Sequence, residues 1–319
     1  MHDGFLNTPF KLDNKKIWVA GHKGLVGSAL CRRLEKENCS ILVTGRERLD
    51  LLRQADVENY LEENKPDIVI ITAARVGGIQ ANSLYPANFI YENLAIETNI
   101  IHAAWKFGVE KLLFLGSSCI YPGEALQPIK EDSLLCGPLE QSNEWYAIAK
   151  IAGIKLCQAY RRQYGCDFIT AMPCNLYGPG DNFDPENSHV IPALIMKAYQ
   201  AGKTGQALAV WGSGKPKREF LYVEDMADAL LFVLKNYSDE RPVNIGAGRE
   251  ITIAELVEKI CKTVGYDGPV SFDSGKPDGC MRKLMDSSRI TANGWKPHTS
   301  LDDGLAATYK WCREKSLLA

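Results

Sequence analysis

Short apolar runs alternating with amphipathic stretches fill the first half of the chain. Lys16-Ile17-Trp18-Val19-Ala20, Ile41-Leu42-Val43-Thr44, Asp67 to Ala74, Lys111-Leu112-Leu113-Phe114-Leu115 and Phe168-Ile169-Thr170-Ala171-Met172 are short, and most stop at glycine or proline. Each predicts a buried strand. Helical periodicity falls between them, over 28–37, 88–107 and 144–164; in the last, apolar residues recur at 148, 151, 154 and 156. Repeated βα units predict a parallel sheet covered on both faces. After residue 175 the texture changes: Asn175 to Asn182 is rich in turn formers. A helix at 190–201, a strand-like run at 208–212, a basic stretch at 215–220, helices at 223–236 and 253–264, and a tail through Trp295 and Trp311 follow.

The expected organisation is an N-terminal extension (1–15), a doubly wound α/β sheet domain (16–175) and a smaller C-terminal α/β domain (176–319). Segments near 220–248 return to the sheet, and the smaller domain closes over the strand ends. The extension offers little to pack and reads as loosely ordered. No internal repeat or low-complexity segment is visible.

Composition narrows the possibilities. The chain has 319 residues, 45% hydrophobic and 24% charged, with a net charge of -2. That balance fits a globular protein and lacks the basic surface a nucleic acid or anionic membrane would need. No apolar run approaches the ~18 residues of a membrane span, and the N-terminus has no secretory pattern. A cytoplasmic location is therefore expected. Ten cysteines are scattered without a C-x-x-C pair, so neither a metal site nor a disulfide framework is expected.

The chemistry enters at the strand ends. Gly21-His22-Lys23-Gly24-Leu25-Val26-Gly27 joins the first strand to the first helix. Strand, glycine loop and helix together make a dinucleotide site, because the glycines let backbone N–H groups approach a pyrophosphate. This predicts a Rossmann-type sheet. After the second strand stands Gly45-Arg46-Glu47-Arg48. Arg46, with Lys23 nearby, suits a ribose 2′-phosphate and favours NADP(H), although Glu47 leaves NAD open.

Gly116-Ser117-Ser118-Cys119-Ile120-Tyr121-Pro122 follows the fourth strand, and Tyr146 and Lys150 share a helix face at i and i+4. A lysine beside a phenol is expected to lower its pKa, and a serine hydroxyl can share the proton with a bound carbonyl. The three groups can protonate a ketone oxygen as it receives a hydride.

These motifs resemble the extended short-chain dehydrogenase/reductases over nearly the whole chain from Lys16 onward. The likeness extends to Val76 to Asn82, Gly116 to Pro122, Asn143 to Gly153, Asn187 to Leu194 and Lys276 to Gly279. Those segments resemble members that act on GDP-4-keto-6-deoxy sugars. The resemblance implies epimerisation of GDP-4-keto-6-deoxy-D-mannose at C3 and C5, then reduction of C4 by NADPH to give GDP-L-fucose. A related hexose or heptose epimerase/reductase, or a 4-reductase, is the alternative.

The resemblance also implies site residues. Cys119 and His189 would move protons at carbon; taken alone, they read as a small buried thiol and a helix N-terminal residue. Ser117, Tyr146 and Lys150 would carry the reduction. The cofactor would meet Gly21, Lys23, Gly24, Leu25, Val26, Gly27, Arg46, Ala73, Ala74, Tyr146, Lys150, Pro173, Asn175, Leu176 and His189. The GDP-sugar would meet Ser118, Asn175, Val190, Leu194, Lys197, Trp211, Arg218, Asp278 and Lys283. Trp211 offers a stacking face, while Arg218 and Lys283 offer cations for a diphosphate.

Two residues depart from the pattern. Lys23 replaces the usual arginine, keeping charge without the bidentate fork. Cys174 replaces the usual threonine, so a different hexose or a heptose stays open as substrate. The resemblance further implies a homodimer through the helices at 88–107 and 144–164.

Overall fold

A computed structural model describes residues 3–184, 188–276 and 278–318. Asn187 and Pro277, which belong to the segments singled out above, lie outside the described residues. The chain begins β1 (Lys16–Ala20), α1 (Leu25–Leu34), β2 (Ser40–Leu42), α2 (Gln54–Asn64), β3 (Ile68–Ile71), α3 (Ile79–Leu84) and α4 (Pro86–Lys106). It continues β4 (Lys111–Leu115), α5 (Glu144–Tyr164), β5 (Asp167–Pro173), β6 (Asn175–Tyr177), α6 (Val190–Thr204), β7 (Leu208–Trp211) and β8 (Lys217–Tyr222). Then come α7 (Val223–Asn236), β9 (Val243–Ile245), β10 (Glu250–Thr252), α8 (Ile253–Val264), β11 (Val270–Asp273), β12 (Arg282–Lys283), α9 (Ser288–Ala292) and α10 (Leu301–Glu314).

The main sheet runs β2-β1-β3-β4-β5-β9, and every pairing in it is parallel. Residues of β3 and β4 are buried throughout, as a sheet covered on both faces requires. Helices α1 and α7 pack together, as do α4 and α5. The strand order reverses beside β1, so the crevice beyond β1 and β3 is the expected ligand position in such a sheet. The sheet and its helices share one hydrophobic core. A second core, including Tyr177, Ile195, Leu208, Leu256 and Leu305, sits in the smaller lobe.

That lobe contains a sheet ordered β10-β8-β12, with β6 also pairing β8, and a two-stranded β7–β11 sheet. The chain leaves the main sheet after β5 and re-enters at β9, where Ala171, Met172 and Pro173 face Val243, Asn244 and Ile245. The basic stretch is therefore strand β8. Helix α1 starts at Leu25, one turn earlier than periodicity alone indicates, because the glycine loop turns directly into it.

The N-terminal extension corrects an expectation: from Asp3 onward it is tied down. Leu6 N–H donates to the Asn236 carbonyl at 2.7 Å and Phe10 N–H to that of Lys235 at 2.6 Å. The Phe5 ring lies 4.9 Å from that of Tyr237, and Leu12 is buried. Apolar residues at 5, 10 and 12 supply contacts that the turn formers around them conceal.

Candidate active site

One cleft of about 1420 Å3 runs along the carboxyl ends of the strands and under the smaller lobe. At the glycine end, Gly21 has φ +97° and a side chain there would meet the Ala73 nitrogen at 2.5 Å. A Cβ on Gly27 would collide with the Gly21 carbonyl and meet Thr72 Oγ1 at 2.8 Å. No side chain caps α1, and Gly24, Leu25 and Val26 line the cleft. Its first N–H groups are thus available to an anion, which is the arrangement a pyrophosphate needs. Lys23 and Arg46 line the cleft nearby and are exposed, with Lys23 3.6 Å from Glu47. These features fit a dinucleotide with an added phosphate.

Ser117, at the end of β4, turns into a short 3-10 turn, with its Oγ accepting from the Cys119 N–H at 3.4 Å. Ser117 Oγ and Cys119 Sγ are 3.0 Å apart. Ser118 is buried in the same turn. Opposite stands Tyr146 in the first turn of α5, lining the same cleft as Ser117. Burial raises the Tyr146 phenol well above its ordinary range, with the Cys119 and Glu97 side chains adding to the rise and Ser117 opposing it.

The expected lowering by Lys150 is not what the structure shows. The Lys150 ammonium is 2.9 Å from Glu97 Oε1, 4.5 Å from the Phe114 ring centroid and 5.9 Å from that of Tyr146. Its charge is largely matched by a carboxylate, so desolvation of the phenol prevails. Both partners are almost wholly buried, and desolvation raises the Glu97 carboxyl despite Lys150.

His189 caps α6 at its N-terminus without a side-chain bond to the helix. Its Nδ1 is 3.5 Å from Asp181 Oδ1. The Asp181 carboxylate raises the imidazole pKa, with burial opposing it. Ala73, Ala74, Pro173, Asn175 and Leu176 line the middle of the cleft, and Val190, Leu194 and Lys197 line the smaller lobe's side. Asn175 donates its amide to the Glu219 carbonyl at 2.9 Å, which fixes it between the lobes.

At the far end Trp211 is 61% exposed, an unusual position for an indole in a cleft wall. Lys197 and Lys276 bring their ammonium groups to 5.0 and 5.5 Å from its ring centroid. Burial lowers the pKa of Lys197. Arg218 and Lys283 face each other in the β8–β12 register, which sets two cations side by side. Burial lowers Arg218, an arrangement that an incoming anion relieves.

One predicted residue is not brought into the cleft wall. Asp278 instead accepts from the Ser213 N–H at 2.9 Å and the Ser213 hydroxyl at 2.7 Å, pinning the turn after Trp211. Two residues that sequence reasoning missed are Glu97 and Asp181. The only signal for Glu97 was an acid on the apolar face of α4, in step with Asn93, Ile100 and Ala104. Cys174 is buried and lines the cleft, and burial pushes its thiol well up. Among the described residues no cluster of potential metal ligands was found.

Comparison with known proteins agrees with this geometry. The model of the NAD dependent epimerase/dehydratase family matches residues 17–246. A GDP-L-fucose synthase of Sinorhizobium fredii is 59% identical over 302 residues, 94% of this chain and 96% of that protein. The structure of a GDP-L-fucose synthetase from Naegleria fowleri bound to NADP superposes with a TM-score of 0.92, at 29% identity over 99% of both chains. A GDP-6-OMe-4-keto-L-xylo-heptose reductase from C. jejuni superposes at 0.89, with 35% identity over 95% of this chain and 98% of that one. A glycine cradle after β1, the Ser117, Tyr146 and Lys150 set beside it and a match across most of the chain agree: the chain belongs to the NAD dependent epimerase/dehydratase family.

Proposed function

We propose that the chain converts GDP-4-keto-6-deoxy-D-mannose to GDP-L-fucose by inverting C3 and C5 and then reducing C4 with NADPH. The observation that carries this reading is the 3.0 Å approach of Cys119 Sγ to Ser117 Oγ. It sets a group able to move a carbon-bound proton beside the hydroxyl that can hold the ketone oxygen.

The mechanism follows from the residues. Ser117 orients the C4 carbonyl, whose electron withdrawal acidifies the C3 and C5 hydrogens. Cys119 takes a proton from one face, and His189 returns one to the other. NADPH, when bound, supplies a hydride to C4. Tyr146 gives its proton to the C4 oxygen, and its raised pKa keeps that proton available at neutral pH. Trp211 stacks the guanine, while Arg218 and Lys283 hold the diphosphate. Lys23 and Arg46 hold the 2′-phosphate of the cofactor.

The second reading is a related GDP-4-keto-6-deoxy-hexose or -heptose epimerase/reductase or 4-reductase. Cys174 in the cleft wall is the observation in its favour. Among the described residues no helix is long and apolar enough to cross a membrane, and we read the enzyme as cytoplasmic. A homodimer through α4 and α5 is supported by Tyr91, Trp145 and Ile148, apolar side chains exposed on those helices. Light scattering tests it, and a monomer mass dismisses it.

The deciding experiment supplies GDP-4-keto-6-deoxy-D-mannose and NADPH in deuterated water, with the product read by NMR. Deuterium at C3 and C5 of GDP-L-fucose is expected. An unlabelled manno-configured product would replace this reading with a plain 4-reductase.

A further inference from the structure

The loop before α6 holds a carboxylate with no counterpart in the reaction so far described. Asp181 is 8% exposed, and its side chain 3%. Its Oδ1 accepts from the Asn182 N–H at 2.8 Å and lies 3.5 Å from His189 Nδ1. Its Oδ2 is buried and has no hydrogen-bond partner among the described residues. A buried carboxylate needs a cation or several donors, and one backbone N–H is too little. Among the described residues, His189 is the one cationic partner recorded for it. From α10, Cys312 faces the same carboxylate, and burial, with Asp181 second, pushes that thiol to about 12. It is therefore a neutral neighbour.

The geometry points to Asp181 as the positioning residue for His189, holding the imidazole by Nδ1 so that Nε2–H is the proton given to carbon during epimerisation. This rests on the function proposed above. Cys119 as thiolate takes the carbon-bound proton, forming S–H and leaving an enolate at C4. The enolate carbon then takes the Nε2 proton of His189, forming C–H and restoring the ketone. Nδ1–H stays toward Asp181, the Cys119 thiol returns its proton to solvent, and the neutral imidazole regains one from solvent, to which it is half-exposed. Nothing is oxidised or reduced. The bond to Asp181 fixes the tautomer and ring angle, much as outer-shell carboxylates do for other working histidines.

The sign follows. A raised imidazole pKa keeps the acid form present to higher pH, and losing the carboxylate withdraws it. The test uses the full-length protein, following deuterium wash-in at C3 and C5 without NADPH from pH 6 to 9. The ring proton of His189 is titrated by NMR alongside, assigned by its loss in His189→Gln. In Asp181→Asn, wash-in at pH 8 should fall roughly tenfold to a hundredfold, with less loss at pH 6. The imidazole midpoint should move from above the ordinary 6.5 to below it.

Unchanged wash-in and midpoint in the variant would overturn the inference. If Asp181→Asn does not fold, the unmodified protein decides: a His189 midpoint at or below 6.5 overturns it, and one above supports it. Absence of wash-in by the unmodified protein would instead defeat the proposed function. The titration would still show whether Asp181 holds the ring.

Discussion

In the reaction proposed above a phenol must keep its proton until the hydride arrives, and the surroundings of Tyr146 suit that role. Burial and the nearby Cys119 and Glu97 hold its pKa well up. Two outcomes are expected. Tyr146→Phe should lose C4 reduction by roughly 10²–10⁴-fold while deuterium wash-in at C3 and C5 persists, both read by NMR in deuterated water. Reduction by the unmodified enzyme should show no decline assignable to Tyr146 up to pH 10, since the acid form outlasts that range. Ser117, Tyr146 and Lys150 could be set together in advance because strand-end and i, i+4 spacing place them without tertiary information, whereas Cys119 and His189 entered through the resemblance. Glu97 and Asp181 were not legible. A lone acid in a helix or turn looks solvated until the packing that buries it is known, and the same packing pairs Lys150 with Glu97 while burial sets the direction of the phenol's shift.

Among elements, α4 and α5 pack closely over β4. Gly153 on α5 leaves room for little else: a Cβ there would meet Phe114 Cζ at 2.5 Å and Glu97 Oε2 at 2.8 Å. Gly153→Ala should cost about 1–3 kcal/mol of stability, measured by urea unfolding, and should displace the Glu97–Lys150 pair with it.

A second junction, on β8, involves Glu219, whose oxygens accept from the Gly248 and Met285 N–H groups at 2.8 and 3.1 Å. Burial nevertheless pushes its carboxyl up to about 7, against 4.5 ordinarily. The folded state therefore holds the proton more tightly. The stabilisation is full below about 4.5 and is lost as pH rises through about 7, by at most about 3 kcal/mol. Urea midpoints should fall across that window, and Glu219→Gln should flatten the fall; an unchanged slope would count against it. Strand and helix patterns were readable for most of these elements. Helix α2, whose outward face is strongly polar, and the role of 217–222 as a strand needed the tertiary partners that bury them.

At the scale of the molecule, neither lobe is a continuous piece of chain. β6 pairs β8 in the smaller lobe, while α7 packs on α1 and β9 completes the main sheet. The turn-rich stretch after residue 175 marks where the chain leaves the sheet, and no local pattern announces where it comes back. A ribosome makes the chain from one end only, so this return fixes a schedule. When β5 emerges, its outer edge has no neighbour until about seventy more residues have been made. The buried face of α1 likewise waits for α7. During that interval the nascent chain presents an open parallel edge and an uncovered apolar helix face, both prone to mispairing. A fragment ending at residue 175 freezes that interval and should be recovered insoluble, whereas one ending at 248 should be markedly more soluble in a sedimentation assay. Slow codons or a chaperone would then matter most between β5 and β9, a stretch of translation in which none of the main-sheet strands is being made.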